Sequence, residues 1–415
     1  MSESGSRPID RRSFLRRAAG TAVALPSLAA ILAACAKPGS LPPGVTILPL
    51  ARPESPVTLP LWKDPIPDGM PIEKGVTLKV YNWSDYFYKK VLKEFEAKYD
   101  VTIEWTGFSN MEEAIQKMAS GQIKPDVFIS DVDKINSLVE ARLIQPLNHS
   151  YIPNLAKYVW SSYQNPFYDQ GWHYTVPYVL WTSGIAYRRD RVDDAEVSAK
   201  GYDILWDSKY RGKIGLYDSY RDAIGMSLMR NGVKDINTGN AEDIRKAKDE
   251  ILAMIAATDA RFTINGVYVG LPEETFWLHE AWSGDAVGAQ FYLPKGTDPS
   301  VLGYWFPEKE GNFDSGNDTI TVCSTASNPV LAHTFLNFFQ DPKYSIPNFE
   351  DWNGYQPPLK AIQPSSLVQD KVVPPSLSHA VVKASDITRG QFINVLSAED
   401  DQRWVDAWAE IKAGG

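Results

Sequence analysis

Residues 76–130 read VTLKVYNWSDYFYKKVLKEFEAKYDVTIEWTGFSNMEEAIQKMASGQIKPDVFIS. Val76 to Tyr81 alternates apolar and polar side chains, the period of a strand. Val91, Leu92, Phe95 and Tyr99 then recur at helical spacing with Lys and Glu between them. Val101 to Trp105 is a second strand, and Ser109-Asn110-Met111-Glu112 reads as a capping box that opens a helix through Met118. Gly121 ends that helix, Asp126 to Ser130 is a third strand, and Asp133 to Ala141 is helical again. Strand and helix alternating at this interval predict a parallel sheet covered by helices on both faces.

The pattern returns further on. Lys213 to Tyr217 reads as a strand, Arg221 to Arg230 and Ala241 to Ala257 as helices, and Ala286 to Tyr292 as another strand. A chain of 415 residues is long for one core, so two α/β lobes are expected. The 44% apolar and 22% charged composition excludes a chain disordered throughout. A net charge of −9 argues against general nucleic-acid binding, which needs Lys and Arg against phosphate. With only Cys35 and Cys323 there is neither a disulfide framework nor a multi-cysteine metal site.

Asp10-Arg11-Arg12-Ser13-Phe14-Leu15-Arg16 resembles the twin-arginine export motif, and the apolar run Ala18 to Ala34 follows it, interrupted by Pro26. Leu32-Ala33-Ala34-Cys35 looks like a bacterial lipobox, so residues 1–34 are read as a signal peptide and Cys35 as the acylated first mature residue. Removing five Arg and two acids from 42 basic and 51 acidic residues leaves 37 and 49, a mature charge of −12. Ten prolines between Pro38 and Pro71 predict an extended tether over 35–75, with Leu59, Leu61 and Trp62 hinting that part of it packs on the body. Cys323 reads as a small buried hydrophobe.

No Gly-x-Ser-x-Gly elbow or Gly-rich phosphate loop is present, and the five histidines are scattered without metal spacing. Neither a cofactor nor a metal is expected, and nothing marks catalysis, although the many carboxylates leave a glycosidase-like pair open. Acids do stand beside aromatics near the ends of strands: Tyr81-Asn82-Trp83-Ser84-Asp85-Tyr86, Asp218-Ser219-Tyr220-Arg221-Asp222, Trp282-Ser283-Gly284-Asp285 and Asn317-Asp318. Ligands of open α/β sheets bind beyond the carboxyl ends of strands. Rings attract organic cations and carboxylates take charge-assisted hydrogen bonds from ammonium groups. Sugar sites also combine Trp with Asp, so the residues alone give an exported two-lobed binder of a cationic or sugar-like ligand.

The sequence resembles the spermidine/putrescine-binding proteins, the extracytoplasmic substrate-binding components of polyamine ABC transporters. The likeness is carried by Tyr81 to Tyr86, Val127 to Ser130, Val176 to Tyr187, Leu205 to Ile214, Trp282 to Asp285 and Pro307 to Gly311, and spans roughly residues 76–360. It implies an α/β, two-lobed periplasmic-binding-protein (type II) fold with crossing hinge strands, lobe 1 being 76–186 plus 319–365 and lobe 2 being 187–318 plus 366–415. It further implies a non-enzymatic, monomeric protein outside the cytoplasmic membrane that delivers its ligand to an ABC permease; the lipid anchor read from Leu32 to Cys35 and the long tether are additions to a freely diffusing binding protein. In that reading Trp83 and Tyr86 are aromatic walls, Ser84 and Asp85 bind an amine end and Ser130 lines the pocket. Asp222 takes a terminal amine, Trp282 stacks on the methylene chain, Asp285 and Asp318 contact nitrogens, and Tyr355 is a further ring, with Gln391 a weaker candidate. Asp222 is one methylene shorter than the family's usual Glu, and Gly316 stands where an aromatic is expected, which leaves the length of the amine open.

Overall fold

The computed structural model describes residues 48–307 and 311–414, so the signal peptide, Cys35, the start of the tether and residues 308–310 of the Pro307 to Gly311 motif lie outside the described residues. Within them the chain is mixed α/β. Strands β1 (Thr77–Trp83), β2 (Thr102–Phe108) and β3 (Val127–Asp131) are parallel, with helices α1 (Lys89–Tyr99) and α2 (Met111–Ala119) between them. Alternation sends Leu78 and Val80 to one face, against Phe95 and Phe335. Tyr81 and Phe128 turn to the other, against Met111 and Ile115. Both faces are therefore covered, as expected.

The sheet is not wholly parallel. Strands β4 (Thr175–Arg188) and β9 (Ser315–Val322) are antiparallel to each other, and β9 is antiparallel to β3. Strand β4 has 14 residues because it serves both lobes. Thr175 to Thr182 pairs with β9, and Ser183 to Tyr187 pairs with β7 (Leu278–Trp282). A chain that crosses from one lobe to the other and returns must run one crossing strand against the other, and the βα alternation of residues 76–130 carries no trace of that. Beyond β7 lie the parallel β5 (Ile214–Leu216) and β6 (Arg261–Phe262), while β8 (Leu302–Trp305) pairs with β4. Helices α3 (Tyr220–Arg230) and α4 (Ala241–Thr258) and the C-terminal helix α6 (Ala398–Gly414) enclose the second core through Leu228, Ile251 and Trp404.

Three expectations are corrected. Residues 286–292 are not a strand: helix α5 (Ser283–Gly288) and a 3-10 turn occupy them, and the strand is β7 just before. Ala286, Val287 and Ala289 are all buried, and a short apolar run buried on every side looks the same in either conformation. The cap of α2 is Asn110, not Ser109: its side chain accepts from the Glu113 amide at 2.8 Å, which leaves Glu112 free of a capping role. Residues 48–75 do not stand off as a tether. Leu48, Ala51, Val57 and Leu59 are buried in the first lobe, and the Trp62 indole donates to the Ile144 carbonyl at 2.9 Å, whereas Leu61 stays exposed.

The C-terminal lobe boundary is not a clean cut. Phe349 and Ile362 pack into the second lobe's outer core, and Val382, Ile387 and Phe392 pack into the first lobe's core. Cys323 is fully buried.

Candidate ligand-binding cleft

A cleft of about 1770 Å³ lies where the carboxyl ends of β1 and β3 meet the crossing strands β4 and β9 and the start of α3 and α5. Nine of the ten candidate residues border it: Trp83, Ser84, Asp85, Tyr86, Asp222, Trp282, Asp285, Asp318 and Tyr355. Ser130 does not. It is fully buried, and its hydroxyl donates to the Asp131 carbonyl at 3.0 Å. The period of two in β3 gives the cleft to the next residue, Asp131. Gln391 lies away from the cleft as well, where it accepts from the Ile236 amide at 2.9 Å and bridges to Asp314.

The acids are held by rings. Asp318 accepts from the Tyr86 hydroxyl at 2.6 Å and from the Trp181 indole at 3.2 Å. Asp285 accepts from the Tyr217 and Tyr355 hydroxyls, each at 2.7 Å. Asp222, in the first turn of α3, accepts from the Trp282 indole at 2.8 Å and from Ser219. Trp282 in turn stacks on Tyr217 with centroids 3.9 Å apart, and Trp83 packs on Phe108. Asp85 takes a left-handed turn, φ 61°, that brings Tyr86 to the cleft. Ser84 donates to the Phe108 carbonyl at 3.3 Å.

Two glycines make this geometry possible. A Cβ at Gly316 would lie 2.6 Å from the Trp181 ring, and one at Gly284 would lie 2.3 Å from the Tyr355 ring. Trp181 faces Gly316 across the β4–β9 pair, so the aromatic missing from position 316 is supplied by the opposite strand. Sequence reasoning missed Trp181, Asp131, Glu112, Asp133 and Lys134. The only trace of Trp181 was the glycine opposite it, which no local pattern connects to it.

Among the described residues, none of the donors on Asp222, Asp285 or Asp318 carries a positive charge. Burial pushes Asp285 up to about 7, against the pull of its two tyrosine hydroxyls. Burial likewise raises Asp222 and Asp318. Asp131 is held well above the carboxylate range by burial and then by the charge of Asp318, its direct partner across β3 and β9. Like charges directly opposite each other on a sheet destabilise it. The arrangement is a concave, aromatic-walled, acidic site whose three central acids are met by neutral donors.

The family description "Bacterial extracellular solute-binding protein" matches residues 90–374. The chain belongs to this family. Among curated relatives, the spermidine/putrescine-binding periplasmic protein of Escherichia coli is 23% identical over 343 residues, covering 81% of this chain and 92% of that one. The putrescine/cadaverine-binding protein of Pseudomonas aeruginosa is 22% identical over 270 residues, covering 64% and 74%. Among solved structures, the TpPotD lipoprotein of Treponema pallidum superposes with a TM-score of 0.68 at 20% identity, covering 81% of this chain and 99% of that one. The fold is thus that of the two-lobed periplasmic solute-binding proteins.

Proposed function

We propose that this protein is the extracytoplasmic binding component of an ABC transporter and captures a polyamine between its lobes. The observation that carries the reading is the group of buried carboxylates, Asp222, Asp285 and Asp318, satisfied only by neutral donors and walled by Trp83, Trp181, Trp282 and Tyr355. A buried carboxylate without a counter-charge is costly, and ammonium groups supply both charge and hydrogen bonds. Aromatic faces suit the methylenes between them. The relatives named for spermidine, putrescine and cadaverine support the same class. Binding rather than turnover fits the family, so no enzymatic activity is assigned.

In this reading the twin-arginine signal exports the chain, Cys35 anchors it by a lipid, and a monomer delivers ligand to a permease. The lobes are joined through β4 and β9, and the chain beyond β9 contributes to both cores rather than dividing at residue 365. The test is calorimetric titration of the ligand-stripped full chain with putrescine, spermidine, spermine and agmatine, and with maltose and ferric citrate as controls. One-to-one binding of an amine at micromolar affinity or tighter supports the proposal. Silence toward every amine with heat from a control overturns it.

A further inference from the structure

Lys134 follows β3 and borders the cleft, although the residue is only 7% exposed. Its Nζ lies 2.9 Å from Asp133 and 3.1 Å from Glu112. It also donates to the Tyr220 hydroxyl at 3.4 Å and stands 5.5 Å from the centre of that ring. Two carboxylates and an aromatic ring around one ammonium form the surroundings a ligand amine would need, and the buried Arg221 guanidinium stands 3.8 Å from the same Asp133. Here the chain fills that position itself. Elsewhere in the cleft the balance is opposite, with Asp222, Asp285 and Asp318 met by neutral donors. Asp131 feels the charges of both Lys134 and Asp318, and Asp133 acts on both Asp222 and Asp318.

We infer that Lys134 is a built-in occupant of one amine position and thereby sets ligand length. The acids met by neutral donors take the two ammonium groups of a diamine. The third amine of a triamine meets the Lys134 ammonium, a like charge in a desolvated place, and is turned away. Lys134 is thus a specificity-determining residue, and the inference rests on the polyamine reading above. Glu112 can take part because Asn110 caps α2 in place of Ser109, leaving the Glu112 carboxylate to reach the cleft.

The test compares putrescine and spermidine on the ligand-stripped full chain, then on Lys134→Ala and Lys134→Arg. The unaltered protein is expected to prefer the diamine by about tenfold or more. Lys134→Ala vacates the position between Glu112 and Asp133, so spermidine should gain at least about tenfold relative to putrescine. Lys134→Arg keeps the cation and should keep the preference. A lysine that merely ties the lobes together would weaken both amines alike when removed, and that result overturns the inference. So does tighter binding of spermidine by the unaltered protein, a comparison that needs no variant. Should Lys134→Ala fail to fold, Lys134→Met, which keeps the stem, takes its place with the same expected shift. No binding of any amine by the unaltered chain overturns the polyamine reading along with the inference. Diamine binding with an unchanged preference in the Ala and Met variants overturns the inference alone.

Discussion

Asp285 holds its proton to about pH 7 in the folded chain, whereas an exposed aspartate loses it near 3.8. Between those values the folded state binds more protons than the unfolded state, so stability falls as pH rises through that window. Asp222, Asp131 and Asp318 are raised too and act in the same direction. Thermal melts of the ligand-free chain should therefore show the midpoint dropping from about pH 5 to about pH 7. Amine binding has the reverse slope, because an ammonium prefers the ionised acid: affinity should rise over the same range, by up to about tenfold per pH unit for each group involved. Asp285→Asn should weaken amine binding by at least about tenfold, on the order of 1.5–3 kcal/mol for a charged hydrogen bond. At neutral pH the same variant should leave the ligand-free chain no less stable, since it removes a buried charge held only by neutral hydroxyls. Equal affinity in Asp285→Asn and Asp318→Asn would remove both acids from the site. At this scale the sequence was informative where acids and rings sit side by side at strand ends. It failed at Ser130, where alternation gives the cleft to the neighbouring Asp131.

The crossing strands set the positions of the acids. Trp181 on β4 covers Gly316 on β9 and donates to Asp318 two residues further along β9, so one register error would lose both contacts. Gly316→Ala puts a methyl where the indole lies. The variant should lose about 1–3 kcal/mol of stability, the cost of overpacking, measured by denaturant melts, and should bind amine less tightly as the indole leaves Asp318. An unchanged affinity would show that Trp181 does not hold Asp318 for the ligand. Strands and helices with clear periodicity were legible in the amino-acid pattern: β1, α1, β2 and β3 stand where residues 76–130 place them. Helix α5 reads as a strand in the pattern because its apolar residues are buried all round, and the crossing strands, one of them over Val176 to Tyr187, are legible through the family resemblance but not through periodicity, because pairing partners far apart in sequence leave no local pattern.

Across the whole molecule, two cores face one cleft and the chain passes between them through β4 and β9. Residues 48–63 add to the first lobe a strip of buried side chains, Leu48, Val57 and Leu59 among them. Fully burying such side chains contributes about 1.5–3 kcal/mol each. Deleting the chain through residue 63 should therefore lower stability by about 3 kcal/mol or more in urea melts, while amine affinity stays within about twofold because the strip does not border the cleft. A deletion without effect on the melt would mean that the strip adds nothing to the first lobe. The proline count foretold irregular backbone in this segment but not its docking, which depends on the apolar groove it meets. The most direct measurement is calorimetric titration of the ligand-stripped full chain with a diamine near neutral pH, in two buffers of different ionisation heat. One-to-one binding with net proton release, the release lost in Asp285→Asn, is the expected result. Absence of binding by any amine, or binding indifferent to both pH and the loss of Asp285 and Asp318, would contradict a cleft built to neutralise buried carboxylates.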